Sequence, residues 1–436
     1  MKQRSATQQA YQADIIIAGG AYVGLCLAVA VKQACPQLKI AVLDAGAEGA
    51  WQSDVRASAI AAAAVRMLER LSCWQPVAPE AQPIREMIIT DSRLNDPVRP
   101  VFLTFAGDVE PGEPFAYMVE NRHLNAALHK RAAELGIACF AGARAEYYEV
   151  LSGLEPAAGA EEAETGAAEA PAGRAGVRVR LADGRIFAGR LLVAADGARS
   201  QMRARAGIKV FRHAYDQMGI VCTVAHERPH NGRAEEHFLP AGPFAILPLK
   251  GNRSSLVWNE PPESARRLLE ADNMLFEAEL ERRFGHYLGA IKLEGGRRGF
   301  PFALQLAYSF IAERLALAGD AAHGIHPISG QGMNLGFRDA AALAEVVVEA
   351  ERLGLDIGSA AVLEKYQLWR RFETFRMGVT TDILNRMFSN DFAPLRGLRD
   401  FGLGLVDRMP FLKNYLIKEA SGLTKNSPRL LLGQNL

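Results

Sequence analysis

Four consecutive apolar positions, Ile15, Ile16, Ile17 and Ala18, follow the acidic Asp14, and their β-branched character predicts a strand buried on both faces. Glycines at 19, 20 and 24 then break the run, Leu25 to Gln33 turns Leu- and Ala-rich as a buried helix does, and KIAVLDA (39–45) reads as a second strand. Together they make one βαβ unit. The apolar stretch from Ile15 to Val31 is long enough to imitate a membrane span, but its three glycines and its change of composition halfway favour strand, turn and helix.

Further along, the pattern predicts a helix over Ser58–Leu71, another from Asn121 to Leu135, and a short strand at Ile137–Phe140. VRVRLADGRIFAG (177–189) alternates around an Asp-Gly turn as a hairpin does, and LLVAA follows as a buried strand. Residues 154–176 are almost all Ala, Glu, Gly and Pro with no aromatic side chain; they bury too little apolar surface to offset ordering entropy and read as a flexible insertion in a hairpin loop. GPFAILPL (242–249) and SSLVW (254–258) are strands, Glu263–Phe284 a helix, RLALAG (314–319) a buried strand, and Gly332–Glu351 a long helix.

At 436 residues the chain exceeds what one core holds, so two are expected. The fold class is α/β: a Rossmann-like domain over 14–84, 118–210 and 311–352, and a second α+β domain with a mixed or antiparallel sheet over 85–117 and 211–310. A polar tail (1–13) without a signal-peptide core precedes them and a helical region (353–436) follows. A formal charge of +1 gives no basic excess for nucleic acid. The five scattered cysteines form no CxxC pair, which suits free thiols in a reducing compartment, and no metal-ligand cluster stands out.

Three segments carry candidate chemistry. Gly19, Gly20, Ala21 and Gly24, with Asp44 twenty residues beyond Gly24, match a dinucleotide-binding turn, in which backbone N–H groups meet a pyrophosphate and the acid accepts from a ribose hydroxyl. Ala21 stands where that pattern has its middle glycine, so its methyl is expected to weaken binding or displace the turn. Asp196-Gly197, with Ser200 and Arg203, is a second turn after a buried strand. The third segment, LALAGDAAHGIHPISGQGMNLGFRDA (315–340), places Gly319-Asp320 at a strand end, then Pro327, Gly330, Gln331, Gly332, Met333 and Asn334 where a helix opens. Its low side-chain bulk leaves backbone exposed to a flat ring, and the helix N-terminus favours an electron-rich edge.

In this order the segments resemble the class A flavoprotein monooxygenases, the para-hydroxybenzoate hydroxylase-like family. A closer resemblance, carried by AAHGIHPISGQGMNLGFRD, YMVENRHLNAAL, GPFAILPL and RGLRDFGLGLVDRMPFLKNYLIKEASG, is to the ubiquinone-biosynthesis hydroxylases of the 2-polyprenylphenol type. It implies bound FAD, transient NAD(P)H, O2 as co-substrate, and ring hydroxylation of a polyprenyl phenol through a hydroperoxide at flavin C4a. It also implies that Arg56, in DVRASAI, lies near the flavin and that Arg122, in VENRHL, lies beside the FAD phosphates or ribityl chain. His323 and His326 are the nearest candidates by sequence for a base acting on the phenol, although a structural role suits both. Phe238, Phe244, Ile246 and Trp258 are expected on the substrate wall, unless they are core.

FLKNYLIKEA, from Phe411, is amphipathic and basic; it suits a membrane interface, a quinone-biosynthesis complex, or packing on its own domain equally well. The location implied is cytoplasmic, with peripheral contact to the inner membrane. Two alternatives stay open: a hydroxylase of a small soluble aromatic acid, and a non-catalytic flavoprotein-fold subunit.

Overall fold

Ile15, Ile16 and Ile17 are buried on both sides because strand Ile15–Ala18 lies inside a parallel sheet with helices over it. The computed structural model describes residues 10–92, 99–106, 108–151, 176–325, 330–388 (side chains to 383), 421–423 and 426–436. His326, Pro327, the insertion from 154 to 175 and the segment around Phe411 lie outside them. The sheet order is Ala138–Phe140, Ile40–Leu43, Ile15–Ala18, Leu191–Ala194, Leu315–Leu317 and Ile311–Ala312, parallel except at the last pair. The chain leaves Ile15–Ala18 through helix Tyr22–Ala34 toward one edge and fills the other edge much later. Ligands of open α/β sheets sit where strand order reverses in this way, outside the carboxyl ends of the strands.

An eight-stranded sheet forms a second layer, in the order His323–Gly324, Ile291–Ala307, Val210–His226, Arg253–Glu260, Gly242–Leu249, Arg233–Leu239, Glu86–Asp91 and Val101–Ala106. Val210–His226 and Ile291–Ala307 run for 17 residues each, and register shifts near Ala214 and Val221 bend the pair. Through His323–Gly324, which pairs with Gln305 and Leu306, this sheet is tied directly to the third sequence motif. On one face Ile220, Val224, Phe244, Ile246, Leu256 and Trp258 pack beneath Phe276, Leu280 and Phe284 of helix Asn273–Phe284. The opposite face looks toward the parallel sheet.

Two expected helices differ. Ala57–Ala61 is a strand paired with Ala116–Glu120, and only Ala62–Arg70 is helical. An alanine run has no period of its own, so strand pairing decided its first half. Glu263–Phe284 is two helices, Pro262–Glu270 and Asn273–Phe284, because Asp272 caps the second by accepting from the Leu275 N–H at 2.8 Å. The arms expected around the insertion pair as a hairpin, Ala145–Leu151 with Gly176–Leu181. All five cysteines are unpaired. Among the described residues no helix is long and apolar enough to cross a membrane.

Candidate active site

Two cavities meet between the sheets. The larger, about 840 Å³, is lined by Gly19 to Tyr22, Asp44, Asp54, Arg56, Asn125, Arg144, Ala195 to Gly197, Arg298 and Phe300. It collects the carboxyl ends of three parallel strands, with Arg298 and Phe300 added from the second sheet. The glycines make this turn possible by close approach: a Cβ on Gly24 would stand 2.0 Å from the Gly19 carbonyl oxygen, and one on Gly20 would stand 2.7 Å from Asp44 Cβ. Ala21 departs from one half of the sequence expectation, the displaced turn. It holds ordinary extended backbone (φ −86°) on the cavity wall and the helix starts directly after it, so the turn is not displaced.

The charged groups around this cavity are held in place. Asp44 Oδ1 accepts from the Gly46 N–H at 2.8 Å. Arg56 forks onto Asp54 with two bonds of 2.8 Å, and Asn121 links Asp54 to Ser58. The Asp54 bond raises the Arg56 pKa; burial works to raise that of Asp54, but its bonds to Arg56 bring it below the usual range. Asp196 Oδ2 accepts from the backbone of Gln201 and Met202, while its buried Oδ1 has no partner. Arg203 is structural: it donates to the carbonyls of Ala321 and Ala198 at 2.8 and 2.9 Å, binding the second motif to the third, and Ser200 caps the short helix that carries it.

The smaller cavity, about 320 Å³, shares Tyr22 and Arg56 with the larger. One wall is the third motif, with Asp320, Gly324, Gly330, Gly332 and Met333; the other is the free face of the second sheet, with Met87, Val221, Glu236, Pro243, Ala245, Leu247, Val257 and Asn259. Asp320 projects into this space from surrounding protein, and burial, partly offset by His323 and Arg56, raises its carboxyl above the usual range. Burial, then Asp320, pushes the Tyr22 phenol up to about 12, so it stays neutral. Gly330 has φ +61°, and a Cβ on Gly332 would meet nothing within 4 Å. Asn334 is a tie, accepting from the Ala61 N–H and donating to the Ala59 carbonyl, both at 2.9 Å. Gln331 caps the helix by position only.

Several expected residues lie elsewhere. Phe244, Ile246 and Trp258 point to the helix-covered face, one position out of register with the cavity-lining Ala245, Leu247 and Val257, because successive strand residues face opposite ways. Phe238 shares the face of its cross-strand partner Pro243 but is not among the lining residues. Arg122 is half-exposed and paired with Glu120 at 3.0 Å, outside both cavities; Asn121 and Asn125 of the same helix line them instead. His323 is buried with its Nε2 donating to Asp339 at 2.5 Å; Asp339 also accepts from the Gly319 N–H and from Arg370 Nε. That set positions the loop and occupies the imidazole nitrogen nearest the acid. Tyr22, Asn259 and Glu236 were missed.

The residues present fit FAD. An orphaned Asp196 oxygen and the Asp44 carboxylate line the larger cavity, where helix Tyr22–Ala34 begins, and helix Gly332–Arg352 begins at the smaller one; neither helix has a side-chain cap or an acid in its first turn. A dinucleotide crevice joined to a small ring-sized cavity defines a FAD-dependent monooxygenase. The chain belongs to the FAD binding domain family, whose model matches residues 12–371. It is 43% identical to a ubiquinone hydroxylase of Rhodospirillum rubrum over 97% of this chain and 93% of that protein. To the 3-demethoxyubiquinol 3-hydroxylase of Escherichia coli it is 32% identical over 94% of this chain and 98% of that one. A p-nitrophenol 4-monooxygenase from Pseudomonas putida shares the fold, with a TM-score of 0.72 at 17% identity over 96% of this chain and all of that one.

Proposed function

We propose that this protein hydroxylates the aromatic ring of a polyprenyl phenol in ubiquinone biosynthesis. The observation that carries the reading is the junction at Tyr22 and Arg56, where a polar dinucleotide crevice opens into a cavity with an apolar sheet wall. FAD held there would supply the redox chemistry, with NAD(P)H as the two-electron reductant and O2 as the source of the oxygen atom that enters the ring. The protein would do the rest. Gly19 to Gly24, Asp44 and Asp196 would hold the adenine end and phosphates; Asp320 and the backbone from Gly330 would seat the ring end. Val221, Ala245, Leu247 and Val257 would press the substrate ring against it and exclude water.

At about 320 Å³ the smaller cavity lies at the low end of ligand pockets, which span roughly 300–1,000 Å³, a size that suits a phenol head better than a whole polyprenyl phenol. A small aromatic acid fits less well: the cavity's cation, Arg56, is already forked onto Asp54. Similarity to two ubiquinone-pathway hydroxylases over nearly the whole chain supports the pathway. In the test, purified protein loaded with FAD is given NADH or NADPH and a short-chain polyprenyl phenol, and products are read by mass spectrometry. Substrate-stimulated nicotinamide oxidation with a product heavier by one oxygen is expected; FAD-loaded protein that oxidises no phenol would overturn the reading.

A further inference from the structure

Strand Arg233–Leu239 carries two adjacent carboxyls, Glu235 and Glu236, on opposite faces. Glu235 has a counter-ion, Arg233, at 2.7 Å. Glu236 has none. It lies between Ala245 on one neighbouring strand and Ile89 on the other, is 7% exposed, and makes no hydrogen bond or ion pair among the described residues. Its remaining surface belongs to the smaller cavity, which Met87, Val221, Ala245, Leu247 and Val257 make apolar around it. The ionisable groups across the cavity are Tyr22, Arg56 and Asp320; behind it, His237 is turned away onto Thr90 at 2.6 Å. A buried carboxyl with no partner destabilises a fold, and such groups concentrate where a ligand supplies the partner.

We propose that the Glu236 carboxylate is the base that accepts the phenolic proton of the substrate in this cavity. The inference rests on the hydroxylase reading above. The phenol O–H bond breaks and its electron pair stays on oxygen, enriching the ring, while a new O–H bond forms on Glu236. Once the ring carbon has gained its oxygen and shed its hydrogen to solvent as a proton, Glu236 returns its own proton to the ring oxygen and ends as the carboxylate. Burial alone raises this carboxyl to about 8. Against a phenol near ~10, that leaves a gap of about 2 pKa units where an ordinary glutamate leaves about 6. The strand therefore supplies a matched base on the cavity wall, whereas His323 is held on Asp339 and does not line the cavity.

The test compares FAD-loaded wild type with Glu236→Gln and Glu236→Leu, each checked for FAD per chain. In the first arm, flavin absorbance follows titration with a short-chain polyprenyl phenol and with its methyl ether, which has no proton to give. Wild type should prefer the phenol by at least about 10-fold, and Glu236→Leu should bind the two within about 2-fold. In the second arm, product formation is followed against pH. Wild-type turnover should rise with pH to a midpoint near 8, whereas Glu236→Gln should lack that limb and form product about 100-fold more slowly, within the ~10² to 10⁴ of general-base catalysis. Unchanged preference in the leucine variant, or a wild-type pH limb in the glutamine variant, overturns the proposal. Wild type that prefers the phenol yet makes no product sinks the hydroxylase reading and keeps Glu236 as the phenol's partner; wild type that binds no phenol sinks both.

Discussion

Replacing Asp339 by Asn tests whether one buried carboxylate organises the flavin loop. Asp339 is fully buried in helix Gly332–Arg352, and Oδ1 accepts from Arg370 Nε at 2.8 Å. Oδ2 accepts from the Gly319 N–H at 2.9 Å and from His323 at 2.5 Å. Burial works to raise its pKa, but His323 and Arg370 outweigh it and the group is held below its usual range. Asparagine keeps the shape and one acceptor and removes the charge, leaving Arg370, itself wholly buried, with Glu373 as its remaining anion. Breaking a buried pair from one side costs about 3–5 kcal/mol, and the retained Glu373 places this variant near about 3. Because Gly319 precedes Asp320, loosening its N–H also moves the cavity wall, so FAD affinity should fall at least about 10-fold, or about 1.4 kcal/mol. Urea unfolding of FAD-free protein and flavin titration measure the two effects separately. A loss below about 1 kcal/mol with unchanged FAD affinity would refute the network's role.

Three further outcomes follow from the same geometry. Ala21→Gly should change FAD affinity by less than about 10-fold in a flavin titration, since the turn already forms with ordinary extended backbone at Ala21, while Gly24→Ala should lower stability by about 1–3 kcal/mol because its Cβ would collide with the Gly19 carbonyl. Phe244→Ala should reduce unfolding free energy by about 3–5 kcal/mol with little change in KM, whereas Leu247→Trp should fill the cavity and abolish substrate binding; equal effects on KM would contradict the strand register. For Glu236 the folded pKa of about 8 lies above the unfolded value near ~4.3, so the folded state holds its proton more tightly and loses stability as pH rises from about 4 through about 8. The Glu236→Gln variant should therefore gain most, up to about 5 kcal/mol, near pH 9 and nearly nothing near pH 4, read by urea unfolding at both.

The parts of this protein that were legible in its sequence are those where local chemistry and function coincide. A pyrophosphate turn needs small residues at fixed spacing after a buried strand, so Ile15 to Asp44 shows itself without any knowledge of tertiary contacts. The long helix from Gly332 was legible for the same reason, through its opening glycines and its apolar length. Strand orientation in the second sheet was not. GPFAILPL is apolar at nearly every position because one face lies under helices and the other lines the cavity, so alternation never announces which side is which, and the choice between wall and core at Phe244 stays open until the register shows it in the core and its neighbour Ala245 on the wall. Size misled as well, since the large aromatics fill the helix-covered core while small side chains leave the room a substrate ring requires.

The missed signals were charges in apolar surroundings. Glu235-Glu236 inside a strand and Arg338-Asp339 inside a buried helix are costly placements that call for a partner or a ligand. For Asp339 the partner lies 31 residues away on Arg370, and for Arg203 it lies 118 residues away on Ala321, separations no local pattern encodes. For Glu236 no partner exists among the described residues at all. The first two charges hold the loops in place; the third, with nothing among the described residues to satisfy it, is where the substrate's own proton has a role.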